Sequence, residues 1–114
     1  MPFFSFHEQN VTASSTVEPL TGWQYERLPF PALVEIALIA DEIGFVATIT
    51  SGSDTLGEEA PVSAGGTDGV LPDQDKPQYE DVAAAGDKLK IKVRETQASG
   101  TGDLMGWVRV TRLG

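Results

Sequence analysis

From Lys88 to Arg94 the chain alternates without a break: Leu89, Ile91 and Val93 are aliphatic, while Lys88, Lys90, Lys92 and Arg94 are cationic. Side chains on a strand point to opposite faces with a period of two, so this segment predicts a strand with one buried and one charged face. No helix separates the two classes in this way. The Gly86-Asp87 pair just before it supplies a turn.

The same period recurs at 32–39 and 45–51. Val34, Ile36 and Leu38 alternate with Leu33, Glu35, Ala37 and Ile39, and Phe45, Ala47 and Ile49 alternate with Val46, Thr48 and Thr50. With Asp41-Glu42-Ile43-Gly44 between them, the two segments predict a hairpin. A helix over 32–43 is the competing reading, because Ala, Leu, Glu and Ile tolerate helices well. A second hairpin is expected between 88–95 and 104–113, across a link rich in Gly, Ser and Thr. Val11 to Val17 permits a strand of small residues, and Trp23 and Tyr25 fit a short strand ending before Pro29. Residues 52–79 are dense in turns, with short strands expected around Thr55–Leu56 and Val70–Leu71. Any helix should be a turn near Asp81–Ala85. Residues 1–10 carry Phe3, Phe4 and Phe6 ahead of any periodic element and read as an arm, which either folds back on its own core or inserts into a neighbouring subunit. The prediction is an all-β protein: a single-domain antiparallel β-sandwich over 11–114, jelly-roll-like, with an apolar N-terminal arm over 1–10.

Composition narrows the range of functions. A chain of 114 residues makes one domain with a two-layer core, and 12 Gly with 7 Pro suit short strands joined by turns. Cysteine is absent, so disulfides, thiolate metal sites and cysteine nucleophiles are excluded. The longest apolar run, Pro29–Ala40, is broken by Glu35 and falls short of the roughly 18–20 residues of a membrane span. The first residues lack the cationic start and apolar stretch of a secretion signal. No membrane association is expected. The net charge of −9 is uneven: residues 41–81 hold ten acids and one lysine, whereas residues 82–114 hold six bases and three acids. Such a balance disfavours nucleic acid, whose affinity comes largely from phosphate neutralisation. It suits a module with one acidic and one basic surface.

Candidate chemistry is sparse. His7 is the only histidine, and no serine-triad or metal-ligand motif surrounds it. Asp73, Asp75, Glu80 and Asp81 offer carboxylates for calcium but lack the EF-hand spacing, and read as a solvated acidic loop. Glu58-Glu59 point to opposite faces if the segment is a regular strand, which excludes them as a glycosidase pair. The Gly65–Gly69 cluster lacks the lysine of a phosphate-binding loop. No enzyme activity, cofactor or metal is expected. Trp23, Tyr25 and Trp107 are candidates to cap the core, to anchor an interface or to line a sugar site. The cations Lys88, Lys90, Lys92 and Arg94 either protect an exposed strand or meet an acidic partner, which is the protein's own loop or that of a second copy.

Two segments, 45–54 and the Val82-Ala83-Ala84-Ala85-Gly86-Asp87-Lys88-Leu89-Lys90-Ile91-Lys92-Val93-Arg94 stretch, together with the overall layout, resemble the small, cysteine-free, acidic β-sandwich subunits that decorate or cement bacteriophage heads. The Ala-Gly-Asp-x-Leu-x-Ile-x-Val form is common among jelly-roll proteins, and the resemblance covers about a third of the chain. It implies a non-enzymatic virion structural protein, made in the host cytoplasm and located on the capsid surface. It further implies symmetric self-association, most often as a homotrimer, and binding to the major capsid protein. The candidate interface residues are then Phe3, Phe4, Phe6, Trp23, Tyr25, Lys88, Lys90, Lys92, Arg94 and Trp107. One rival is a carbohydrate- or receptor-binding module of a phage tail or spike. Another is a cupin-like enzyme, disfavoured because its metal site needs several histidines.

Overall fold

The computed structural model describes residues 3–12, 15–66, 71–72, 77–96 and 101–113. Within them the strands are β1 (Phe3–Thr12), β2 (Thr16–Val17), β3 (Ala32–Ala40), β4 (Phe45–Ser51), β5 (Asp54–Pro61), β6 (Tyr79–Ala83), β7 (Leu89–Glu95) and β8 (Thr101–Arg112), and the described residues contain no helix. Two four-stranded antiparallel sheets result, ordered β1-β8-β3-β6 and β2-β7-β4-β5. The protein is an all-β antiparallel sandwich.

The pairing follows one rule. β1 pairs with β8, β2 with β7, β3 with β6 and β4 with β5, which is a long antiparallel ribbon folded over on itself. Lateral pairing of β3 with β8 and of β4 with β7 then closes the sheets. This is the eight-stranded jelly-roll order.

That rule overturns both expected hairpins. β3 and β4 lie in different sheets, as do β7 and β8. The Asp41–Gly44 segment is a crossing between layers: four extended residues reach about 13–14 Å, more than the roughly 10 Å between packed sheets. The tight hairpin instead joins β4 to β5, turning at Gly52 with φ of +60°. Residues 32–40 are strand, so the helical reading of 32–43 fails. Trp23 and Tyr25 sit in consecutive turns rather than a strand, with the Trp23 N–H donating to the Leu20 carbonyl at 3.1 Å and the Glu26 N–H to the Trp23 carbonyl at 2.9 Å. The expected helical turn near 81–85 is the end of β6 followed by a turn at Gly86, whose φ is +91°. The predicted Val11–Val17 strand is divided between β1 and β2, and Ala13 and Ser14 lie outside the described residues. Thr55–Leu56 belongs to β5. Leu71 is not in a strand, and Val70 lies outside the described residues.

Residues 3–10, expected as an arm, run in β1 and pair with β8 from Phe3 opposite Arg109 to Glu8 opposite Leu104. Phe6 and the aliphatic faces of the sheets meet in one core that includes Val34, Ile36, Leu38, Phe45, Ile49, Leu89, Ile91, Val93, Leu104 and Val108. The alternation in β7 is complete: Leu89, Ile91 and Val93 point inward, and Lys90, Lys92 and Arg94 are exposed.

The outer faces of the two sheets differ. β8 is buried without interruption from Gly102 to Val108. On the outside of the first sheet Trp107 Nε1 reaches the Pro72 carbonyl, and residues 62–66 run beside the end of β3. They are held by the Ala40 N–H donating to the Ser63 carbonyl and the Gly66 N–H donating to the Ala40 carbonyl, each at 2.9 Å. Gln78 then continues β6 with its side chain, donating from Nε2 to the Leu38 carbonyl at 2.9 Å and accepting the Leu38 N–H at 3.2 Å. The outer face of the second sheet is open, with the cations of β7 exposed along it.

Candidate interaction surface

On the open face, register places side chains in rows. Thr16, Arg94 and Val46 stand abreast, followed by Lys92 beside Thr48 and Lys90 beside Thr50. Thr16, Val46, Thr48, Glu59, Lys92 and Arg94 line a shallow hollow of about 180 Å³.

Glu59 reaches this hollow because β5 is irregular. The register against β4 slips between Ala47 and Ile49, and Glu59 takes a φ of +47°, in the left-handed region that non-glycine residues seldom occupy. Its N–H donates to Thr48 Oγ1 at 3.2 Å, and its carboxylate accepts from Arg94 Nη2 at 2.9 Å. The regular-strand geometry assumed for Glu58-Glu59 therefore does not hold.

The remaining cations find partners in an unexpected place. Lys90 Nζ lies 3.3 Å from Glu18 and Lys88 Nζ 3.9 Å from Glu26, both acids in the connection between β2 and β3. Among the described residues, Glu59 is the one ion-pair partner of these cations that comes from the acidic 41–81 region expected to supply the counter-charge. Lys92 has no ion-pair partner among the described residues. Exposed pairs of this kind contribute about 0–1 kcal/mol each, so a competing carboxylate displaces them at little cost.

The aromatic candidates divide three ways. Trp107 is fully buried on the outside of the first sheet. Its Nε1 donates to the Pro72 carbonyl at 3.1 Å, the Phe3 ring stacks on it at 5.8 Å, and the Arg109 guanidinium lies 5.0 Å from its centroid. Glu35 holds Arg109 through two hydrogen bonds, at 3.0 and 3.2 Å. Trp107 is thus not placed to line a sugar site. Phe4 and Phe6 face the core, and Phe4 stacks on Trp23 at 5.1 Å. Trp23 and Tyr25 are half-buried and continue through Phe30 to Arg112 as a chain of ring contacts.

His7 accompanies Asp103, with Nε2 to Oδ2 at 3.0 Å, and the Asp103 N–H donates to Asp41 Oδ1 at 2.9 Å. Among the described residues no three His, Cys, Asp or Glu side chains gather as a metal site. Asp73 and Asp75 lie outside the described residues. Sequence reasoning missed Glu18, Glu26 and the Glu35–Arg109 pair, whose partners are distant along the chain. It also missed that β8 is covered on both faces, for which the unbroken apolar run Leu104-Met105-Gly106-Trp107-Val108 was a signal.

Compared with protein-family models, curated proteins and solved structures, the chain matches none.

Proposed function

We propose that the protein is a non-enzymatic virion structural subunit that self-associates and binds an icosahedral bacteriophage capsid, stabilising it from the outside. The jelly roll by itself serves capsid proteins, lectins and cupins alike, so fold does not decide between them. The observation that carries this reading is the open cationic face of β7, where Lys92 stands without an ion-pair partner among the described residues beside the Arg94–Glu59 pair. An acidic side chain of a capsid subunit entering the hollow gains Lys92, competes with Glu59 for Arg94, and finds the Thr16 and Thr48 hydroxyls alongside. Charge complementarity of this kind sets orientation on a lattice more than raw affinity.

The test is co-sedimentation with capsids assembled from the major capsid protein expected to be encoded beside this gene. Lys92→Glu should weaken binding about tenfold or more, with the wild-type interaction falling as salt rises. No co-sedimentation at low salt would remove the proposal. A second reading, glycan binding, is favoured by one observation, the half-buried, adjoining rings of Trp23 and Tyr25. A glycan-array signal abolished by Trp23→Ala would select it.

A further inference from the structure

The four edges of the two sheets are unequal. β2 is only two residues long, and β6 has five, with Glu80 and Asp81 among them. β5 carries Gly57, Glu58, the left-handed Glu59 and Pro61, and its register slips twice against β4. Short strands, charges, proline and bulges are the devices that keep sheet edges from pairing with other chains. β1 is different. It is ten residues long, its register with β8 is regular from Phe3 to Glu8, and its irregularity comes only between Glu8 and Val11. Apart from the ladder with β8, no backbone hydrogen bond engages residues 3–8 among the described residues. Its outward side chains include an exposed Ser5 and a Phe3 that is 41% exposed.

We propose that β1 pairs antiparallel with β1 of a second copy about a two-fold axis at Ser5, joining the two first sheets into one of eight strands. This deepens the self-association in the proposed function by naming its surface. The occupant follows from the pattern of β1 itself. Residues opposite one another across an antiparallel pair share a face, so a continuous sandwich requires odd positions to meet odd positions and even to meet even. Phe3, Ser5 and His7 lie on the outer face, where Phe3 stacks on Trp107 and His7 bonds Asp103; Phe4 and Phe6 face the core.

Centring on Ser5 then sets Phe3 against the second copy's His7, Phe4 against its Phe6, and Ser5 against its Ser5. Every ring meets a ring, and no charges of like sign oppose. Centring on Phe6 would instead press Glu8 against Phe4 on the core side, and centring on His7 would place Phe6 against Glu8 beside the bulge. Aromatic cross-strand pairs contribute about 0.2–1 kcal/mol each, and a two-fold contact makes every such pair twice. A five-residue ladder is small beside the roughly 1,200 Å² of a stable interface, so the dimer is a weak, concentration-dependent one.

The experiment is analytical ultracentrifugation of the full chain from micromolar to millimolar concentration, with Ser5→Lys and Ser5→Glu. Opposed residues of a ladder lie about 5 Å apart, so each variant alone faces its own charge across the axis. Each should raise the dimer dissociation constant at least tenfold, while an equal mixture of the two should return it to within about threefold of wild type. Circular dichroism establishes that both variants fold, and the rescue by mixing is a readout that a folding defect does not give. A wild-type protein that is monomeric throughout, a dimer or trimer indifferent to both charges, or a mixture that fails to reassociate would each overturn the proposal. Capsid co-sedimentation is scored separately through Lys92, so either surface can fail while the other stands.

Discussion

Trp107→Ala tests whether the outside of the first sheet is a second packed layer rather than a surface. The indole is fully buried, stacks on Phe3 at 5.8 Å, lies 5.0 Å from the Arg109 guanidinium and donates to the Pro72 carbonyl at 3.1 Å. Truncating a buried tryptophan costs about 3–5 kcal/mol through lost transfer energy and the cavity left behind. The hydrogen bond accounts for about 1 kcal/mol of that, and the ring and cation contacts for about 0.5–1.5 kcal/mol each. Trp107→Phe keeps a ring between Phe3 and Arg109 and should lose only about 1–2 kcal/mol. Against a domain stability of about 5–15 kcal/mol, the alanine variant forfeits a large share. With an unfolding entropy of about 2 cal/mol/K per residue, its Tm should fall by about 12–20 °C. Urea unfolding followed by far-UV circular dichroism measures the difference without relying on tryptophan emission. The chain has two tryptophans, so Trp23→Phe isolates Trp107, whose emission should be blue-shifted and resist acrylamide. A loss under about 1 kcal/mol for Trp107→Ala, with ready quenching of Trp107, would refute the covered layer.

Two further predictions concern the same sheet. At Gly106 an added Cβ would lie 2.5 Å from the Phe6 ring and 2.8 Å from the Ala37 carbonyl oxygen, so Gly106→Ala should destabilise by about 1–3 kcal/mol. Hydrogen exchange should show the loss in β1 and β3, because the Phe6 ring and the Ala37 carbonyl must both give way. Glu35→Gln removes the charge that fixes Arg109 through two hydrogen bonds at a largely buried site, and should cost about 1–3 kcal/mol in denaturant unfolding. A double-mutant cycle with Arg109→Met should give a coupling above about 0.5 kcal/mol, and independent effects would refute the pairing.

The strands of this protein were legible in its sequence, and their pairing was not. The period-two alternation at 32–40, 45–51 and 89–95 marks one buried face in each case, and the structure buries that face. Alternation does not say which sheet supplies the opposite layer. Asp41-Glu42-Ile43-Gly44 has the turn residues of a hairpin and also the reach of a crossing. What selects the crossing is tertiary: the Asp103 N–H on Asp41, the Thr96 N–H on the Gly44 carbonyl at 2.8 Å, and the Val62 N–H on the Phe45 carbonyl at 3.0 Å. A jelly-roll order itself requires β3 and β4 to part, so the two expectations were in conflict. The cationic face of β7 was equally legible, but its counter-ions were not. Glu18 and Glu26 lie more than sixty residues before the lysines they meet, and Glu59 reaches Arg94 only through a left-handed backbone that its residue type does not announce.

The union of β1 with β8 also sets the order in which the molecule is completed. His7 meets Asp103 across 96 residues of chain, so a ribosome must release nearly the whole domain before the first strand has anywhere to go. The tip hairpin β4–β5, by contrast, joins strands that follow one another directly in the chain. Closure of so distant a pair carries most of the loop entropy, which makes this a slow-folding topology for its size. During synthesis β1 therefore waits longest for its partner, and it is also the strand whose far edge stays open afterwards.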